Sequence, residues 1–343
     1  MQIKLSDLCN ITMGQSPKSI YYNKSKIGTP FMQGCTTFGR IYPSIDTWTT
    51  IYNKSADSND ILFTVRAPVG DINIALTKIA IGRGLAALKP TSVSTKYLYY
   101  LLLSNRDLFT NNSSGTVYDS INKSALENIT LNIHSKNQQL LIVDIIGSLD
   151  DKIENNNKII NKLWQKLQLI HTDFKSKNEL VEKNILELAD IKYGKGIPTS
   201  EILKDGLYSV YGSNGIIGYL NNYTFKEHKI AISCRGNSSG IIHLTDENST
   251  VTSNSLVLDF KNFDYTYYFF LEFMYKGLYE YKTGSAQPQI TIDNLKILNL
   301  QVPKNINDYI KNINDSVEYT FCLKKENQKL FLLKQFYLKK FFG

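Results

Sequence analysis

The chain has 343 residues, 42% of them hydrophobic, with 39 Lys+Arg against 31 Asp+Glu for a net charge of +8. That length suits two domains or one large one, and the apolar content supports packed cores and excludes a disordered chain. The basic balance fits a nucleic-acid partner, although charge alone is a weak pointer. The four cysteines, Cys9, Cys35, Cys234 and Cys322, form no CxxC pair and have no histidine at ligand spacing. Free thiols are expected, with no metal site. The opening stretch MQIKLSDLCNITMG lacks an apolar signal core, and no run approaches the roughly 20 apolar residues of a membrane span. The expectation is a soluble cytoplasmic protein with no membrane partner.

In chain order, Leu5 to Pro17 reads LSDLCNITMGQSP, and a similar stretch returns at Leu186 to Ser200 as LELADIKYGKGIPTS. Each holds leucines, polar positions and a glycine-containing turn before a proline. ILFTVRAPVGDINIAL, Ile61 to Leu76, predicts two strands around a Pro-Val-Gly turn; KIAISCRGNSSGIIHL, Lys229 to Leu244, predicts the same around Gly236 to Gly240. The segments after Thr95 (with YLYYLLL at Tyr97 to Leu103) and after Asp264 (with YTYYFFL at Tyr265 to Leu271) predict helices. Gly115 matches Gly284, Ile121 matches Ile290 and Leu126 matches Leu295 at one constant offset. The period of about 170 to 180 residues is too long for a solenoid unit and fits a duplicated domain. The middles of the copies differ: TPFMQGCTTFGRIYPSIDTW (Thr29 to Trp48) against GLYSVYGSNGIIGYLNNYTF (Gly206 to Phe225).

A long helix follows each copy. From Gln138 to Lys175, apolar residues recur in alternating steps of four and three: Ile142, Ile146, Leu149, Ile153, Ile160, Leu163, Leu167, Ile170 and Phe174, with Asn156 the one polar member. This is a heptad seam; a helix of that length would run roughly 55 Å and needs a partner. The second helix, Ile306 to Phe342, is less regular: Ile310, Ile313 and Val317 keep the rhythm, then Leu323 and Leu330 continue at sevens, with Thr320 and Asn327 near the seam. The two are each other's obvious mates, paired antiparallel, and Asn156 would fix the register at some loss of stability. Asp150-Asp151 reads as part of a solvated helix face.

No catalytic signature is present. The chain has no GxxxxGK[ST], HExxH, GxSxG or kinase set, and no Asn-Pro-Pro-aromatic tetrapeptide for holding a flipped base. His134, His171, His228 and His243 are scattered and read as structural. What is present suits DNA reading. Arg66 and Arg235 hold equivalent strand-turn positions, and Arg83 is a further candidate. Arginine grips guanine edges or phosphates bidentately, though a structural salt bridge would use the same residues. Asn237 and Ser238 follow Arg235. Ser113, Ser114, Gly115, Thr116 and Tyr118 make one small polar loop; Thr283, Gly284, Ser285, Gln287 and Gln289 make its counterpart. Hydroxyls and amides can donate to phosphates, and glutamine can read adenine, but a plain turn is the alternative. Tyr211, Ser213 and Asn214 lie in a turn-rich stretch, a recognition loop or a simple hairpin.

Two half-chain repeats, each a variable domain followed by a long helix, resemble the DNA-specificity subunit of type I restriction-modification systems. The motifs that carry this are LSDLCNITMGQSP, LELADIKYGKGIPTS, YSVYGSNGIIGY, SCRGNSSG, and the SGTVYDSI and TGSAQPQI turns, in this order. The resemblance covers essentially the whole chain. It implies an α+β fold: two tandem target-recognition domains, each a mixed α/β globule, separated by two long helices pairing as an antiparallel coiled coil. The boundaries would be 1–136 for the first domain, 137–178 for the central helix, 179–304 for the second domain and 305–343 for the C-terminal helix.

The same resemblance implies a non-catalytic role in which each domain reads one half of a bipartite site in double-stranded DNA. The helices would set the spacing and dock two methyltransferase subunits, which bring S-adenosylmethionine; this chain itself would bind no cofactor. Two restriction (motor-nuclease) subunits would join where cleavage is retained. The chain departs from the fullest pattern in its compact length and its less regular second helix. Two other readings stay open: the recognition subunit of a related fused restriction-methylation enzyme, and a protein-binding scaffold that touches no DNA.

Overall fold

The apolar runs ILF and IAI form central strands because both of their faces are covered, which is where uninterrupted hydrophobic runs belong. The structure, a computed structural model, describes residues 1–111, 120–204, 206–284 and 287–343. By its internal contacts the chain divides into two units. The first comprises Met1–Asn155 and Asn327–Gly343, the second Asn156–Glu326. The expected division set 137–178 and 305–343 apart as spacers; here each long helix contributes one part to each unit.

In the first unit, four antiparallel strands lie in the order Cys9–Met13, Leu85–Pro90, Ile61–Thr64 and Ile72–Ile74. Alternation splits their side chains between two cores. Ile61, Phe63, Ala86 and Leu88 face the helix Thr95–Ser104, meeting Tyr97, Leu98 and Leu101. Leu62, Leu85 and Ala87 face the other way, against Met32, Ile79 and Ile81 of a second, five-stranded sheet. Ser94 starts the helix by accepting from the Tyr97 amide. Gln2–Lys4 pairs with Thr130–Asn132 and ties the start of the domain to its end.

The second unit repeats this frame. Its four strands lie in the order Ala189–Tyr193, Ser255–Phe260, Ile230–Ser233 and Ile242–Leu244, with Leu180–Asn184 paired to Asn299–Pro303. The helix Asp264–Lys276 covers one face with Tyr267, Tyr268 and Leu271. The matched positions Ile121 and Ile290, and Leu126 and Leu295, are all buried. The second sheets differ, as the unlike middles required: three strands here (Gly215–Leu220, Tyr208–Gly212, Thr250–Val251) against five in the first unit.

The long helices are Lys136–Lys177 and Asn307–Phe342. Within each unit they run antiparallel. In the first, Ile142 and Ile146 share a core with Leu338, while Asp150 meets Lys334. In the second, Leu167 packs among Tyr309, Ile313, Val317 and Phe321, while Asn156 donates to Glu326 at 2.6 Å and His171 meets Tyr309 at 2.9 Å. Of the expected seam, Ile146, Ile153, Asn156, Ile160, Leu167, Ile313, Val317 and Leu323 are buried; Leu149, Leu163, Ile310 and Leu330 are half-buried.

One expectation is corrected. Asp150 is not on a solvated face: it is 2% exposed and sits on the seam. Its carboxylate accepts from Lys334 at 2.7 and 2.8 Å, from Arg40 at 2.9 Å and from the Tyr100 hydroxyl at 2.9 Å. Asp151 is exposed and pairs with Lys96.

Two of the four histidines are tied into the packing around the long helices. His134 Nε2 donates to the Phe341 carbonyl at 2.9 Å, leaving Nδ1 to accept from the Tyr97 hydroxyl. His171 Nε2 donates to Glu272. Burial pushes the Glu272 carboxyl up, yet hydrogen bonds from His171, Lys175 and Lys276 outweigh it and hold the group well below the ordinary carboxylate range. No helix among the described residues is long and apolar enough to cross a membrane.

Candidate nucleic-acid interface

In the second unit three loops predicted separately come together. The first is the hairpin turn Ser213-Asn214, closed by the pairing of Gly212 with Gly215. The second, Arg235 to Gly240, links two frame strands. The third runs through Thr283, Gly284, Gln287 and Gln289.

Backbone bonds tie them into one surface. Gly236 N donates to the Pro288 carbonyl at 3.0 Å, and Ile290 N donates to that of Cys234 at 3.0 Å. Thr283 and Gln289 exchange both of their backbone bonds at 2.9 Å. Arg235 forms an antiparallel bridge with Gln289. Ser238 Oγ donates to Asn214 Oδ1, and Ser233 Oγ donates to the Ser213 carbonyl.

The third loop needs its glycine. Gly284 has φ +88°, and a Cβ there would lie 2.8 Å from the Gln287 carbonyl oxygen. Arg235, Asn237, Asn214, Thr283, Gly284, Gln287 and Gln289 are exposed, and Ser213 and Ser238 are half-buried. The surface therefore presents one guanidinium among amides and hydroxyls, a set that can donate to phosphates and read base edges. Arginine's charge is felt beneath: burial raises the Cys234 thiol, while Arg235 pulls it back.

Tyr211 differs from its expected place in a recognition loop. It belongs to the strand Tyr208–Gly212, is 5% exposed, and packs with Phe225, Ala231, Val251 and Val257. Its hydroxyl accepts from the Asp246 amide at 3.1 Å, and burial pushes that hydroxyl well above the usual tyrosine range. The ring supports the hairpin from within and offers no face to a base. Ser285 lies outside the described residues.

The first unit repeats the geometry where it can be followed. Arg66 is exposed and forms an antiparallel bridge with Ser120, as Arg235 does with Gln289. Ser113, Ser114, Gly115, Thr116 and Tyr118 lie outside the described residues. Arg83 is exposed, and its amide donates to Ser16 Oγ, which in turn donates to Gln33 Oε1 at 2.8 Å. Gln33 and Ser16 were missed in the sequence, where a polar residue beside a glycine or a proline carries no signal of its own. Close packing was the hidden reason for the glycines: a Cβ on Gly82 would lie 2.4 Å from Gln33 Oε1. Among the described residues no group of three His, Cys, Asp or Glu side chains could hold a metal ion.

Comparison with known proteins bears on these observations. The family model described as type I restriction modification DNA specificity domain matches twice, over residues 1–165 and 177–334. A putative type I restriction enzyme specificity subunit of Methanocaldococcus jannaschii is 41% identical over 150 residues, which is 43% of this chain and 35% of that protein. A putative type I specificity subunit of Mycoplasma pneumoniae is 26% identical over 175 residues, 46% of each chain. The matched stretches thus span less than half the length of these two relatives. The crystal structure of the S subunit of a type I restriction-modification system from M. genitalium superposes with a TM-score of 0.65, covering 100% of this chain and 96% of that one. At 18% identity, that likeness is one of fold.

Proposed function

The chain belongs to the type I restriction-modification DNA specificity family, and from that premise we propose that it is a sequence-reading subunit in which each unit contacts one half of a split site in double-stranded DNA. The observation that carries this reading is the pairing of a repeated frame with unlike reading surfaces. The two four-stranded sheets share one strand order, while the second sheets and the loops beside Arg66 and Arg235 differ. A conserved geometry with different side chains is what two half-sites of different sequence demand. Arg235 would grip a guanine edge or a phosphate, and Gln287, Gln289, Asn214 and Asn237 would read adenine or donate to the backbone.

The chemistry is assigned elsewhere. Two methyltransferase subunits would dock on the long helices and bring S-adenosylmethionine, and this chain would bind no cofactor and catalyse nothing. The helices would act as the spacer between half-sites, and two restriction subunits would join in systems that cleave. The site of action is the cytoplasm.

Co-expression with the methyltransferase encoded beside it, followed by base-resolved mapping of adenine methylation, tests the proposal. A new bipartite motif with a fixed unspecified gap is expected. Methyl transfer by this chain alone would overturn the non-catalytic assignment. Association with the methyltransferase without any new methylation would overturn the DNA-reading role in favour of a scaffold.

A further inference from the structure

Beside the reading surface of the second unit lies a cavity of about 440 Å³ lined, among the described residues, by Lys192, Lys195, Lys226 and Lys229 against two carboxylates, Glu227 and Asp259. It sits on the face of the frame sheet that turns toward the second sheet, where Phe225 packs with Val257 and Ala231.

The four lysines are not equivalent. Lys229 is 8% exposed, with its ammonium 2.6 Å from Asp259 and 3.3 Å from Glu227. Lys192 lies 2.8 Å from Asp259 and 5.1 Å above the Phe225 ring. Both carboxylates are thereby engaged by two fixed lysines. Burial raises the Asp259 carboxyl, but the hydrogen bonds from Lys192 and Lys229 bring it below its ordinary value, so it stays charged and keeps both in place. Lys195 and Lys226 are exposed at the rim and have no carboxylate partner among the described residues. The groove therefore holds uncompensated positive charge over an aromatic floor.

Its position selects the ligand. Lys195 N donates to the Val251 carbonyl at 2.8 Å, and the Lys195 carbonyl accepts from Ser253 N at 3.0 Å. The next residue, Asn254, accepts from Cys234 N at 3.1 Å and from Ser213 Oγ at 3.4 Å. Two segments of the reading surface and the rim of the groove thus hang on one short stretch of backbone. We propose that the groove seats a backbone phosphate of the duplex whose bases meet the Arg235 surface, with Lys195 and Lys226 closing on it. Contacts of this kind add affinity and orientation without sequence information. The inference rests on the DNA-reading assignment above.

The test uses the complex with its methyltransferase, a duplex carrying the mapped motif, and a scrambled duplex, each titrated across a salt series. For Lys195→Gln/Lys226→Gln, the slope of log affinity against log salt should fall by about 0.9 on both duplexes, the value for one phosphate contact. Affinity should drop roughly tenfold on both at low salt, with the ratio between them unchanged. Melting of the variant should match the wild type, since both side chains are exposed. An unchanged slope in a variant whose wild type binds would overturn the groove and leave the reading surface standing. A loss confined to the motif duplex would mark base contacts and also overturn it. A wild-type complex that binds neither duplex would overturn the DNA-reading assignment itself.

Discussion

Lys334→Met should loosen the C-terminal helix within the first unit by about 2–3 kcal/mol, near the lower end of what breaking a buried ion pair costs. The side chains of Lys334 and Asp150 are 4% and 2% exposed. Without the ammonium, the Asp150 carboxylate keeps Arg40 and the Tyr100 hydroxyl, which softens the loss. Asp150→Leu is the harsher change, about 3–5 kcal/mol. It strands the ammonium beside the Tyr99 and Tyr100 rings, 6.0 and 5.4 Å from their centroids.

The double variant should recover most of this, because an apolar pair of similar volume carries no desolvation penalty. The remaining deficit is about 1–3 kcal/mol for a Tyr100 hydroxyl left without its acceptor. Burial holds the Lys334 amine below the ordinary lysine range, with Asp150 pulling the other way. The folded chain therefore releases this proton more readily than the unfolded one. The wild type should gain on Lys334→Met as pH climbs from that lowered value toward about 10.4, and lose the gain as pH falls back. Amide exchange along residues 327–342 reads the local opening directly, whereas global denaturation would mix two units. Losses in the double variant equal to the sum of the single losses, or wild-type exchange in Lys334→Met, would refute this account of the pair.

Three further outcomes follow from single contacts. Glu272→Gln should remove an acid-dependent part of the second unit's stability. The wild-type carboxyl is held low, so its contribution is present above about pH 4.3 and fades as pH falls through the lowered value. Trp164, 5.4 Å from Phe270, reports this by fluorescence in a Trp48→Phe chain. Gly284→Ala forces a side chain into a left-handed backbone conformation, which costs about 1–2 kcal/mol; lowered thermal stability of the second unit is expected, and an unchanged melt would show that the turn relaxes. Arg235→Ala should weaken recognition of one half-site by about 1–3 kcal/mol if the guanidinium reads a base, measured with duplexes altered in each half. Equal loss on every sequence would mark a phosphate contact instead.

The frame was legible in the sequence because it is written twice. Arg66 and Arg235 were paired by sequence position alone, and both turn out to bridge to the loop that follows the helix, at Ser120 and Gln289. What stayed hidden depends on distant partners. Asp150 looks solvated in its own helix, since an acidic doublet is the usual mark of an exposed face; Lys334, 184 positions away, with Arg40 and Tyr100, explains its burial. Tyr211 sits among turn residues, and nothing local shows that its ring faces Val251 and Val257. The second sheets escaped notice because several of their strands are two residues long, too short for any periodicity. The lysine groove is drawn from three segments, each with an unremarkable share of charge.

The polar residues on the helix seam share a physical logic. An apolar heptad seam specifies that two helices pair, but a slip of seven residues restores the same pattern. In the first unit Asp150 must find Lys334, or the ammonium is buried without its carboxylate and Asp150 is left with Arg40 and Tyr100 alone. In the second, Asn156 finds Glu326, and His171 finds both Tyr309 and Glu272. A buried polar or ionic pair adds little stability over a well-packed hydrophobic one as a rule, but a slipped register would leave several buried polar groups without partners. The second helix can therefore be irregular in its apolar pattern and still be held in one register, because that register is encoded in a few polar contacts within each unit.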